Sequence, residues 1–112
     1  MKKIETIIRP EKLEEVLEGL DRAGCTGITI SEIRGHGTQK GIEKKRLGGT
    51  YRITFLPKYK IELIVPDEEA DRLTDMIMMT AFTGRIGDGK IFIYNMEEAI
   101  RIRTGQTGKE AV

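Results

Sequence analysis

The sequence predicts an α+β fold made of two strand–helix–strand halves. Three observations predict it. Apolar residues recur first with strand and then with helix periodicity, twice along the chain; each helical pattern opens at a proline; and a long charged, glycine-rich stretch without apolar periodicity divides the halves. The 112 residues suit one domain.

Residues 2–9 alternate imperfectly through Ile4, Ile7 and Ile8 and read as a strand. Pro10 suits the first position of a helix, and Glu11, Glu14 and Glu15 suit its positive end. Leu13, Val16, Leu17 and Leu20 fall on one helical face, and Gly24 is a good terminator. A second strand follows around Ile28 and Ile30, with Thr29 and Ser31 on its other side. From Gly35 the pattern dissolves through Gly37, Gly41, Glu43-Lys44-Lys45-Arg46 and Gly48-Gly49; such loops are usually functional or mobile. Order returns near Tyr51, and Ile53, Phe55, Tyr59, Ile61, Leu63 and Val65 describe a long strand with Pro57 at a bend or edge. Asp67 reads as the cap of a second helix whose buried face is Ala70, Leu73, Ile77 and Ala81 and whose end is Thr83-Gly84. A strand at 91–94 follows, and Ile100-Arg101-Ile102-Arg103 alternates as a further strand would. Two such halves fit the split βαβ, or ferredoxin-like, plan: two helices cover one sheet face and leave the other open unless another subunit covers it.

Charged residues are 33% of the chain and the net charge is +1, so no global field draws it to nucleic acid or membrane. Only three Tyr and three Phe are present, too few for a stacking platform on an open sheet. The single cysteine, Cys25, forms no internal disulfide and reads as a buried, inert thiol, which fits a reducing compartment. Glu5 and Arg9 interrupt any signal-peptide core after Met1-Lys2-Lys3, and no apolar run approaches the ~18 residues of a membrane span. The expected location is cytoplasmic. His36 is the only histidine, no Ser-His-Asp arrangement is visible, and no catalytic residue is assigned. Met76, Met78 and Met79 read as core and interface filler.

The segment with the clearest chemistry is Gly84-Arg85-Ile86-Gly87-Asp88-Gly89-Lys90. It matches G-x-x-x-x-G-K, but Ile91 stands where a P-loop has Ser or Thr, and the order runs from helix to strand rather than strand to helix. It is therefore not a P-loop. Its glycines still let successive N–H groups face one side as an anion-binding concavity, with Arg85 and Lys90 adding charge. The bland reading is a glycine-rich turn. Arg101 and Arg103, two apart on the expected strand, would share one face and favour a di- or triphosphate there; the bland reading is a charged edge strand that discourages aggregation.

Three segments resemble the PII nitrogen-regulatory signalling proteins, over essentially the whole chain: Gly35-His36-Gly37-Thr38-Gln39-Lys40-Gly41, Phe55-Leu56-Pro57-Lys58-Tyr59-Lys60-Ile61-Glu62, and Thr83 to Phe92 with Ile100 to Gly105. The resemblance implies a single PII-type domain, 1–112, assembled as a compact homotrimer. Its T-loop would span about 37–55, its B-loop about 82–90 and its C-terminal strand and tail about 97–112. ATP or ADP would occupy clefts between subunits, contacted by Gly27, Thr29, Gly35, Gly37, Thr38, Glu62, Ile64, Gly87, Asp88, Gly89, Lys90, Arg101 and Arg103. Gln39 would ligate Mg2+ held by ATP, and 2-oxoglutarate would lie against Gln39, Lys40, Gly41 and Lys58. Tyr51 stands at the position uridylylated in some members. The implied partner is an ammonium transporter or another nitrogen-metabolism protein, engaged through the T-loop, with membrane contact only through the transporter and no nucleic acid.

Some positions depart from the family pattern. Thr38 stands where Arg or Lys is common, Leu47 where transporter-blocking members carry Arg, and Thr50 where Glu is frequent. The Leu47 departure bears on pore plugging rather than on transporter binding. The competing readings are a slow ATP-hydrolysing enzyme, a PII-like sensor with a different second ligand, and a ferredoxin-like nucleic-acid module.

Overall fold

The computed structural model describes residues 1–35 and 56–112. The expectations for His36, Gly37, Thr38, Gln39, Lys40, Gly41, Leu47, Thr50 and Tyr51 lie outside the described residues.

The elements run β1 (Lys2–Ile8), α1 (Leu13–Arg22), β2 (Ile28–Gly35), β3 (Leu56–Val65), α2 (Asp67–Ala81) and β4 (Gly89–Asn95), with short 3-10 turns at Pro10–Lys12 and Gly108–Ala111. The four described strands form one sheet in the order β2-β3-β1-β4, every neighbouring pair antiparallel. Each helix therefore crosses over the strand lying between the two it connects, which is the ferredoxin-like arrangement expected from the sequence.

The two helices cover one face. Ile4 and Thr6 on β1 stand opposite Leu63 and Ile61 on β3, and all four side chains are buried. Val16 and Leu20 from α1 and Ala70, Leu73, Ile77 and Ala81 from α2 close on them, while Leu13 and Leu17 pack at the margin. These are the helix faces that the periodicity predicts. Fully burying a side chain the size of Leu20 or Ile77 contributes about 1.5–3 kcal/mol. The helices meet closely at Gly19, where a Cβ would lie 2.5 Å from the sulfur of Met76. Met76 is partly buried, but Met78 and Met79 are exposed, so only the first acts as core filler.

Local chemistry explains the element ends. The N–H of Gly24 donates to Asp21 and that of Cys25 to Leu20, a paired C-terminal cap that needs the left-handed Gly24 (φ 87°). Asp67 is not the cap of α2. Pro66 holds the extended cap position, Asp67 is the first helical residue, and its carboxylate accepts the N-terminal ammonium at 2.9 Å. The helix ends at Ala81 rather than Thr83, because Phe82 turns extended. Strand β4 starts at Gly89, so Gly89 and Lys90 belong to the sheet, opposite Ile8 and Ile7. The expected strand at 100–103 is also corrected. Ile100 makes a single bridge to Thr107, and the chain turns back at once through a hydrogen bond from Gly105 N to Arg101 O.

Among the described residues nothing covers the other sheet face. Lys3 lies on it 2.7 Å from Glu62, 3.5 Å from Glu5 and 5.4 Å from the centre of the Tyr94 ring. Phe92 and Tyr94 remain exposed there. No described helix is long and apolar enough to cross a membrane.

Candidate nucleotide site

The glycine-rich loop is held from within. Asp88 folds back on the loop: one carboxylate oxygen accepts the N–H groups of Thr83 (2.8 Å) and Gly84 (2.9 Å), and the other accepts the Thr83 hydroxyl and Arg9 Nε (2.9 Å). Burial works to raise the Asp88 carboxyl, but the bonds from Thr83, Arg9 and Gly84 outweigh it and leave the group well below the ordinary carboxylate range. Arg9 also donates through Nη2 to the carbonyl of Ile86 at 2.7 Å. Lys58 donates to the carbonyl of Gly87 at 2.6 Å. Both cations are buried side chains. Burial and then the Arg9 guanidinium pull the Lys58 ammonium below the usual lysine range, with Glu11 and Asp88 opposing.

These bonds fix which way the loop faces. All described peptide bonds are trans, so a carbonyl and the following N–H point in opposite directions. The carbonyls of Ile86 and Gly87 point inward to Arg9 and Lys58. The N–H groups of Gly87 and Asp88 therefore point outward, as an anion site requires. Left-handed backbone at Gly87 (φ 102°) and Gly89 (φ 103°) makes the turn possible. Gly89 is further constrained, because a Cβ there would lie 1.7 Å from the carbonyl oxygen of Ile7.

Of the expected site residues, Gly35, Lys58, Gly87, Asp88, Gly89 and Lys90 gather at this end of the sheet. Gly35 pairs with Leu56, and a Cβ on it would lie 3.3 Å from the Lys58 side chain. Gly27, Ile64 and Arg101 gather elsewhere, lining a cavity of about 570 Å³ with Cys25, Arg72 and Lys109. Thr29 and Glu62 sit beside that group as a cross-strand pair, and Arg103 is exposed in the tail turn. The two groups lie at opposite ends of the sheet. Gly89 is opposite Ile8 while Ile64 is opposite Lys3, five residues apart on β1 or about 17 Å at ~3.3 Å per residue. One chain therefore does not bring the loop and the arginines together. Arg9 and Thr83 were missed in the sequence. Only an arginine closing an apolar strand, and the Thr83–Asp88 spacing across glycines, hint at them. No cluster of potential metal ligands occurs among the described residues.

Known proteins share both the sequence and the shape. The family model described as nitrogen regulatory protein P-II matches residues 1–106. Nitrogen regulatory protein P-II 2 of Methanothermobacter thermautotrophicus is 55% identical over 112 residues, covering 100% of this chain and 97% of the relative. Nitrogen regulatory protein P-II of Pasteurella multocida is 52% identical, covering 100% of both chains. The crystal structure of the Arabidopsis thaliana PII protein bound to citrate superposes with a TM-score of 0.82 at 33% identity, covering 99% of this chain and 91% of that one. The chain belongs to the PII family of nitrogen regulatory signalling proteins.

Proposed function

We propose that this chain senses adenine nucleotides and 2-oxoglutarate and regulates a nitrogen-assimilation target, such as an ammonium transporter, through the segment at about 37–55. The observation that carries the proposal is the division of the site. The outward-facing glycine loop stands at one end of the sheet and the cavity of Gly27, Ile64 and Arg101 at the other, so in this reading a complete nucleotide cleft needs two copies. The sheet face left open among the described residues and the exposed apolar residues Ile30 and Ile93 on edge strands β2 and β4 favour such an assembly, a homotrimer in this proposal.

In this reading Gly87, Asp88, Gly89 and Lys90 of one copy meet Arg101 and Arg103 of the next around the phosphates, with Gly35, Gly37 and Thr38 beside them. Gly27, Thr29, Glu62 and Ile64 surround the adenine and ribose. Because the Asp88 carboxylate is engaged inside the loop, its phosphate contact is assigned to its backbone N–H. Gln39 holds Mg2+ on ATP. Lys58 pairs with a 2-oxoglutarate carboxylate, which also rests on Gln39, Lys40 and Gly41. Two ligands that share a metal bind cooperatively, and each biases the segment only as far as its affinity differs between conformations. The role is regulatory rather than enzymatic, and its setting is the cytoplasm. The citrate on the Arabidopsis protein favours a carboxylate as the second ligand and keeps a different one in contention.

Calorimetry tests the proposal with ATP, ADP and AMP, each with and without Mg2+, 2-oxoglutarate and citrate. The expected result is 2-oxoglutarate binding only with Mg-ATP, lost in Gln39→Ala while ADP binding persists. Equal loss of both ligands removes the role assigned to Gln39. Fast hydrolysis indifferent to 2-oxoglutarate establishes the enzyme reading instead, and a chain that binds no nucleotide refutes the sensor.

A further inference from the structure

The geometry points to Arg9 as the residue that positions the phosphate loop, acting through the Asp88 carboxylate and the Ile86 carbonyl rather than by touching the ligand. The inference rests on the reading of Gly87–Lys90 as the phosphate site and adds a residue to it. Arg9 leaves the end of β1 directly before Pro10, is only 6% exposed, and reaches the loop by two hydrogen bonds at once. Its Nε bond to Asp88 anchors the carboxylate that gathers Thr83 and Gly84 at the start of the loop. Its Nη2 bond to Ile86 O turns the following N–H, that of Gly87, toward solvent. Lys58 does the same for the next peptide through Gly87 O. One forked cation therefore sets both the closure of the loop and the direction of its first outward N–H. A lysine, with a single ammonium, reproduces the charge but not the two-point geometry.

This arrangement also separates two roles that a basic residue near phosphate usually combines. Two of the guanidinium's five N–H donors are engaged, by Asp88 and Ile86, and the Asp88 carboxylate offsets its charge, so its contribution to the ligand is orientation. Loss of Arg9 should therefore cost affinity in proportion to how much of the ligand is phosphate, and leave recognition of the base intact.

The test measures ADP and adenosine binding by calorimetry and ligand-observed NMR on the full chain, with circular dichroism and assembly mass as controls. Arg9→Gln is expected to weaken ADP at least about tenfold, the scale of one lost charge-assisted hydrogen bond, and to change adenosine affinity less than about twofold. Arg9→Lys should fall between Arg9→Gln and the unaltered chain. If Arg9→Gln does not fold, Arg9→Lys alone must show the selective loss of ADP affinity. Unchanged ADP affinity in a folded variant, or equal weakening of ADP and adenosine, overturns the positioning role while leaving the nucleotide reading in place. An unaltered chain that binds adenosine as tightly as ADP refutes the phosphate loop and the Arg9 role together.

Discussion

Gly89→Ala should be among the most damaging small substitutions in this chain, and its cost separates backbone strain from steric conflict. Gly89 has a φ of 103°, a conformation that costs a residue with a Cβ about 1–2 kcal/mol. Its Cβ would also stand 1.7 Å from Ile7 O and 2.7 Å from the Ile7 carbonyl carbon, both backbone atoms of a central strand. No side-chain movement relieves that overlap. The β1–β4 ladder must part locally, losing roughly one or two hydrogen bonds at about 0.5–1.5 kcal/mol each. The total is about 1.5–5 kcal/mol, a large share of the ~5–15 kcal/mol that holds a small domain together. Gly105→Ala is the control: its φ is 72°, but nothing lies within 4 Å of the added atom, so strain acts alone. Urea denaturation followed by circular dichroism should give a midpoint for Gly89→Ala well below that of Gly105→Ala, with similar slopes. Midpoints that coincide would show that β4 yields freely at its first residue and refute the reasoning.

Further outcomes follow from the core and the titrating groups. Ile77 is fully buried between α2 and the sheet, and Ile77→Ala should cost about 2–5 kcal/mol in the same denaturation, against about 0.5 kcal/mol or less for exposed Met79→Ala. Asp88 is held below its unfolded value, so its contribution is present above about pH 4 and is lost as pH falls from there toward the folded value. The stability gap between the unaltered chain and Asp88→Asn should therefore narrow in acid, and a gap that widens below pH ~4 would contradict the inward-facing carboxylate. Burial pushes the Cys25 thiol up, partly opposed by Arg72 and reinforced by Glu69, so iodoacetamide at neutral pH should label the folded chain at least about tenfold more slowly than the chain in urea.

The helix faces were legible because burial writes a period into the sequence. Val16, Leu20, Ala70, Leu73, Ile77 and Ala81 recur at helical spacing and all face the sheet. Gly24 was legible for a related reason, since few other residues adopt the backbone that closes α1. The tail misled because alternation says nothing about a pairing partner. Ile100 to Arg103 alternates, yet only Ile100 finds a bridge, and Gly105 turns the chain back. Asp67 misled because its type suits a cap, while Pro66 before it already holds the extended backbone that a cap needs. In the candidate site the glycines advertised the loop, but Arg9 did not. Its partners Ile86 and Asp88 are 77 and 79 residues away, and no local pattern records such a contact.

The placement of the braces bears on how one site could report on two ligands. Arg9 and Lys58 hold adjacent carbonyls of the same loop, so the loop's outward N–H groups depend on where both cations point. In the proposed reading Lys58 also receives the carboxylate of the second ligand. An anion drawing on the Lys58 ammonium would then change its bond to Gly87 O, and with it the peptide whose N–H would face the phosphates. Linkage requires the reverse as well: a phosphate that settles the Asp88 N–H settles the Gly87 carbonyl on the same peptide, and with it the position of Lys58. In that reading a metal on ATP would not be the sole route by which the two ligands sense each other, because a single peptide unit, Gly87–Asp88, would lie between them.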